Sequence, residues 1–156
     1  MDDVTHQHAH GGASLNRTAF SATVHCLTGC AIGEVLGLAI ATALGWGNAA
    51  SIALAIVLAY CFGYALTLRS VRRSGIALRP ALGIAFAADT LSITVMEIVD
   101  NAVVLVIPGA MAAGLGDALF WGSLALGLAL AWVAAFPVNR ALIARGRGHA
   151  VAHAHH

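Results

Sequence analysis

Four stretches of this chain, residues 18–44, 49–68, 81–111 and 118–139, contain neither Arg nor Lys. Each is long enough for a helix to cross a bilayer core, which takes roughly 20 apolar residues at a rise of about 1.5 Å each. That pattern removes most folds from consideration. A helix in water needs a polar face, and a 156-residue chain that is 60% hydrophobic and only 10% charged cannot supply one to every helix. Hydrocarbon in turn demands that each span satisfy its own backbone, so helices are expected. The expected fold is all-α: a four-transmembrane-helix bundle over residues 18–144, with tails at 1–17 and 145–156.

All eight basic residues are Arg, and their placement sets the topology. Arg17 precedes the first span. Arg69, Arg72, Arg73 and Arg79 fill the connection between the second and third, and Arg140, Arg145 and Arg147 follow the fourth. The other two connections, Gly45-Trp46-Gly47-Asn48 and Gly114-Leu115-Gly116-Asp117, hold no basic residue. By the positive-inside rule both termini are expected in the cytoplasm, and the protein in the cell inner membrane as a multi-pass chain. Pro80 suits the first turn of the third helix, and Pro108 is placed to end its membrane part. A net charge of +1 points to no nucleic-acid partner; the lipid bilayer is the expected surrounding.

The N-terminal tail lacks the basic and short apolar regions of a signal peptide and reads as disordered. His6, His8 and His10 alternate in it, and His149, His153, His155 and His156 stand in the C-terminal tail. Such runs can collect metal loosely without forming a defined site.

The informative residues lie inside the spans. Glu34, Asp89, Glu97 and Asp100 have no Arg or Lys within a span to pair with. A charged residue at mid-span costs about 2.5–3.5 kcal/mol on insertion scales, so four need a shared explanation: protonation, a bound cation or a wet cavity. Cys26, Cys30 and Glu34 recur at spacing four and form one helical stripe, with His25 to its side. Gly29, Gly33 and Gly37 form an adjoining ridge that permits close helix approach. Counted from the cytoplasmic ends, Asp89 and Cys61 are expected at the depth of the two cysteines. Met96 and Glu97 are expected level with Glu34, and Asp100 and Asn101 beyond them.

Thiolate, thioether and imidazole donors suit a soft or borderline ion of the copper or zinc class, and carboxylates further along suit protons or a harder ion. The expected metal site is His25, Cys26, Cys30, Glu34, Asp89, Met96, Glu97 and Asp100, with Cys61 and Asn101 as additional candidates. The function this suggests is binding and translocation of such an ion, with proton coupling as an option. Two other readings stay open. His25 could ligate haem and the cysteines could exchange with a quinone-linked partner. Alternatively, the cysteines act as small apolar residues and the acids lock helices together in an accessory subunit. Four spans are few for a transporter, which leaves a homodimer open, with the glycine ridge as its seam or an internal one. No serine triad, phosphate loop or nucleotide fingerprint is present, so an enzyme of soluble type is not expected.

With these residues laid out, the chain resembles a bacterial membrane family, domain-of-unknown-function family 4396. The resemblance rests on His25-Cys26 through Cys30 to Gly33-Glu34, then Ala88-Asp89-Thr90, Met96-Glu97-Ile98-Val99-Asp100-Asn101, and Phe136-Pro137-Val138-Asn139-Arg140. It covers about residues 20 to 145 and implies a helical membrane architecture, with no activity attached. A fainter likeness to four-span mercury-uptake proteins rests on paired first-span cysteines, but the spacing differs.

Overall fold

The computed structural model describes residues 3–73 and 77–145. Within them lie α1 (Asp3–Ala43), α2 (Asn48–Arg73), α3 (Leu78–Val106), a 3-10 turn at Ala110–Ala112 and α4 (Ala118–Ala144), with no strand among the described residues. Three segments, Ser14–Ala43, Asn48–Ser70 and Ala118–Ala144, are long and apolar enough to cross a membrane. Helix α3 is 29 residues long but carries Asp89, Glu97 and Asp100.

The first helix departs from expectation at its start. It begins at Asp3, so most of the segment expected as a disordered tail continues the helix. The side chains of residues 1–13, His6, His8 and His10 among them, lie outside the described residues, as does the whole of 146–156 with its four histidines.

Helix ends follow local chemistry. At the end of α1, Trp46 N–H donates to Ala41 O at 2.9 Å and Gly45 N–H to Thr42 O at 3.1 Å. This is the Schellman closure, and it places Gly45 at a φ of 67°, where a side chain would be strained. Helix α3 stops at Val106, because Pro108 biases Ile107 toward extended backbone and Ile107 has φ −80° and ψ 117°. Asp117 then accepts the N–H of Gly114 at 2.7 Å, and the Trp121 indole donates to Leu115 O at 2.9 Å. Both bonds hold the turn compact.

The helices are arranged in chain order around a square. Helix α1 packs on α2 and α4, α3 packs on the same two, and α1 meets α3 more thinly across the diagonal. The turns after α1 and α3 lie at one end, the glycine-turn face. Arg69, Arg72, Arg73, Arg79 and Arg140 lie at the other, the arginine face.

The tightest seam joins α1 to α2, and the glycine ridge builds it. Gly29 faces Gly63, Gly33 faces Ala59 and Gly37 faces Ala55, one turn per step in opposite chain directions. A side-chain carbon on Gly29 would come within 2.7 Å of the Gly63 nitrogen. The ridge is therefore an internal seam: it draws the two backbones together and gains close dispersion contact. Across α2 and α3, Tyr60 pairs with Thr94 at 2.5 Å and Tyr64 with Thr90 at 2.8 Å, hydroxyl to hydroxyl.

Candidate functional site

Once the glycine ridge is committed to α2, the next face of α1 must point inward. That face is the stripe Cys26, Cys30 and Glu34, about 100° of helix turn away per residue and recurring every four. Cys26 and Cys30 are buried at 1% and 2% exposure, and Glu34 is half-buried. Opposite them, α3 buries Asp89, Ser92, Met96, Glu97 and Asp100 on one face.

The two faces meet pair by pair. Cys26 Sγ donates to Asp89 Oδ1 at 3.4 Å. Ser92 lies beside the same thiol, and Thr67 of α2 stands against the Asp89 carboxyl. Cys30 Sγ lies 4.0 Å from Met96 Sδ, with Glu97 beside it. Asp100 adjoins both Glu97 and Glu34. The result is a file running along the bundle: Asp89 and Cys26, then Cys30, Met96 and Glu97, then Asp100 and Glu34. It is a string of neighbours rather than a ring. Among the described residues no three His, Cys, Asp or Glu side chains converge closely enough to hold a metal ion.

The polar groups along this file fall into two kinds. Tyr60, Tyr64, Thr90, Thr94, Thr23 and Asn139 satisfy one another across helices. Glu97 and Asp100 do not: all four of their carboxyl oxygens are buried without a hydrogen-bond partner among the described residues. Asn101 is adjacent, but its amide donates to the backbone carbonyl of Glu97 at 2.9 Å. A buried acceptor left unpaired costs about 1–3 kcal/mol, and more when charged, so packing alone is a poor reason for these two acids.

Asp100 is accommodated by an absence. A side chain on Gly127 of α4 would overlap the Asp100 carboxyl, so the acid lies where Gly127 leaves the helix surface bare. Beyond it, toward the glycine-turn face, is a cavity of about 90 Å³. Glu34, Asn48, Ser51, Asn101 and Ser123 supply its polar lining. That volume is well above the 10–15 Å³ or so that one water needs. The file thus connects to a small wet-sized space through Glu34 and Asn101.

Eight residues were expected to share the site, and the structure places seven of them on the file. His25 stands to the side, half-buried, on the shoulder of the stripe. Cys61 is a correction: it is exposed on the outer surface of α2 and does not join the two buried cysteines. Its depth was legible but its direction was not, because the Gly63–Ala59 edge of α2 turns to α1 and the Tyr60, Tyr64 and Thr67 hydroxyls turn to α3, which leaves Cys61 outside. The depth matching is also corrected, by about one turn: Met96 meets Cys30 rather than Glu34, and Asp100 is the residue that meets Glu34. Ser92, Thr67 and Gly127 were not anticipated. Ser92 had a signal, since it lies three residues after Asp89 on the same face. Gly127, a lone glycine in an apolar run, had none.

No curated protein and no solved structure matches the chain. The family model described as Domain of unknown function (DUF4396) matches residues 15–148, which takes in α1 from Leu15 on, the other three helices and every residue of the file, and the chain belongs to that family.

Proposed function

We propose that this protein crosses the cell inner membrane with all four helices, arginine face toward the cytoplasm, and moves a soft metal ion along the file between α1 and α3. The observation that carries the reading is the composition of that file. It joins two thiols, a thioether and four carboxyls, with no Arg or Lys in the same spans. A cation is the partner such donors lack. The arginines before the first span, in the α2–α3 connection and at the end of α4 support the orientation.

The pairing favours the copper class over the zinc class. Structural zinc takes four ligands in a closed tetrahedron, whereas Cys26 with Asp89 and Cys30 with Met96 offer donors two at a time. Thiolate and thioether suit Cu(I). An ion held by few ligands at each step can leave for the next pair, which a closed cage would oppose. The carboxyls of Glu97, Asp100 and Glu34 can take up the protons that the thiols release on binding, so movement of the ion is coupled to protons in this reading. The two thiols face different partners on α3, which favours successive ligation over dithiol exchange. A homodimer, if formed, uses a face other than the glycine ridge, which α2 occupies.

Uptake of Cu(I) by vesicles containing the purified protein tests this. The expected result is uptake above protein-free vesicles that Cys30→Ser and Met96→Leu both abolish. Uptake indifferent to both substitutions contradicts it.

A further inference from the structure

Among the described residues, the file opens toward the glycine-turn face. Past Glu34 lies the cavity at the glycine-turn face. In the other direction, below Cys26 and Asp89, the bundle closes on Ala19, Ala22 and Ile143, all buried. One polar contact sits in that closure. Thr23 is the next inward residue on the stripe of α1, three positions before Cys26 and so about 4.5 Å below it. Its hydroxyl donates to Ala19 O at 2.8 Å and accepts from Asn139 Nδ2 of α4 at 2.9 Å. Thr23 is fully buried and Asn139 is 4% exposed. Nearer the surface, two turns before Thr23 on α1, a second tie joins the same helices: Arg140 Nε donates to Asn16 Oδ1 at 2.7 Å.

On α4 both ties are made two and three residues after Pro137, which stands inside the helix. Proline brings no N–H, so the carbonyl one turn earlier, on Val133, loses its helical donor there. The last two turns of α4 are thereby joined to the rest at a weakened point. Above it, Trp132 is anchored by edge contact with Phe20 at 5.6 Å and by stacking on Phe136 at 5.3 Å. A fixed upper part, a weak joint and a lower part held by two hydrogen bonds and by Ile143 against the small side chains of Ala19 and Ala22 make a movable end.

We propose that Thr23 and Asn139 form the gate at the arginine face of the file, opened by displacement of residues 138–144 about Pro137. The proposal rests on the reading that the file conducts a cation. A hydroxyl–amide bond suits a gate, because both groups can turn to solvate a passing ion once parted, which an apolar plug could not do. It also assigns a role to Phe136-Pro137-Val138-Asn139-Arg140, which the metal chemistry does not use.

The test reads access to Cys26 rather than transport. The full chain carrying Cys61→Ser is placed in membrane vesicles of each orientation. A membrane-impermeant methanethiosulfonate is applied, and modification of Cys26 is followed by peptide mass spectrometry. Asn139→Ala and Thr23→Val are each expected to speed modification from the arginine face by about tenfold, the scale of losing one hydrogen bond, with little change from the other face. Pro137→Ala is expected to slow it, by restoring the helical bond. No acceleration in either gate variant, or equal acceleration from both faces in both, overturns the gate; an unchanged rate in Pro137→Ala overturns the hinge. Because no metal enters the assay, failure of the gate and failure of the metal reading are distinguishable.

Discussion

Cys26 of α1 and Asp89 of α3 meet across the diagonal of the bundle, Sγ to Oδ1 at 3.4 Å. They are 63 positions apart in the chain, and the helices that carry them touch less than any adjacent pair in the square. A thiol is a weak donor and a carboxylate a strong acceptor, so the contact is modest as a tie. Its worth lies in placing a soft donor and a hard one on the same point of the file. A double-mutant cycle with Cys26→Ala and Asp89→Asn should show coupling of about 0.5–1.5 kcal/mol in unfolding free energy, the range of a single buried hydrogen bond. Strict additivity would mean that the two side chains do not interact.

The α1–α2 seam should be the least tolerant part of the molecule. Gly29→Ala sets a methyl against the backbone of Gly63, which has no side chain to move aside. Overpacking of this kind typically costs about 1–3 kcal/mol. Thermal unfolding in detergent should fall clearly for Gly29→Ala and Gly33→Ala. Gly47→Ala, in the turn, where an added carbon meets nothing, serves as the control.

The same contrast between α1 and α2 shows what could be read in advance. The four helices and the turns between them were legible because long stretches free of Arg and Lys alternate with short polar ones, three of the helices being long and apolar enough to cross a membrane, and Pro108 and Gly45 act through local backbone chemistry. The ridge Gly29, Gly33 and Gly37 was legible as a ridge. Its partner was not, because spacing states which face is small and says nothing of what lies against it. Cys61 failed for a related reason. Tyr60, Tyr64 and Thr67 are the groups that fix the rotation of α2, and a cysteine between two tyrosines states its depth but not which of these side chains turns to α3. The register of α1 on α3 departs from the expected depths by about one turn at Met96 and Asp100 and hardly at all at Asp89, a difference that spacing along either helix alone does not record. Thr23 and Asn139 found each other over 116 positions, which no local pattern records.

Gly127 should matter to function more than to folding. Gly127→Ala places a methyl where the Asp100 carboxyl lies, and that side chain can swing away where a backbone could not. The expected result is loss of Cu(I) movement in vesicles with unfolding lowered by no more than about 1–2 kcal/mol. Gly122→Ala, also on α4 but with open space around it, should leave both unchanged. Equal loss in the two variants would remove the special role of position 127.

The tyrosine–threonine pairs between α2 and α3 should be structural. Tyr60→Phe removes the hydroxyl that meets Thr94, while Thr94 keeps its bond to the carbonyl of Thr90. Unfolding should become easier by about 0.5–1.5 kcal/mol, with metal content unaltered. A change in metal content would bring these hydroxyls into the proposed metal path.

In the proposed function the thiols and the thioether of the file hold a soft ion. The most direct measurement is the amount of Cu(I) retained per chain after purified protein is loaded under reducing conditions and passed over a competing chelator. The wild-type protein should retain copper, Cys26→Ser and Cys30→Ser should each lower the amount, and Met96→Leu should weaken retention. Cys61→Ser should match the wild type, since that thiol faces outward. Retention of no copper by the wild type, or equal retention by Cys26→Ser, Cys30→Ser and the wild type, would contradict the account.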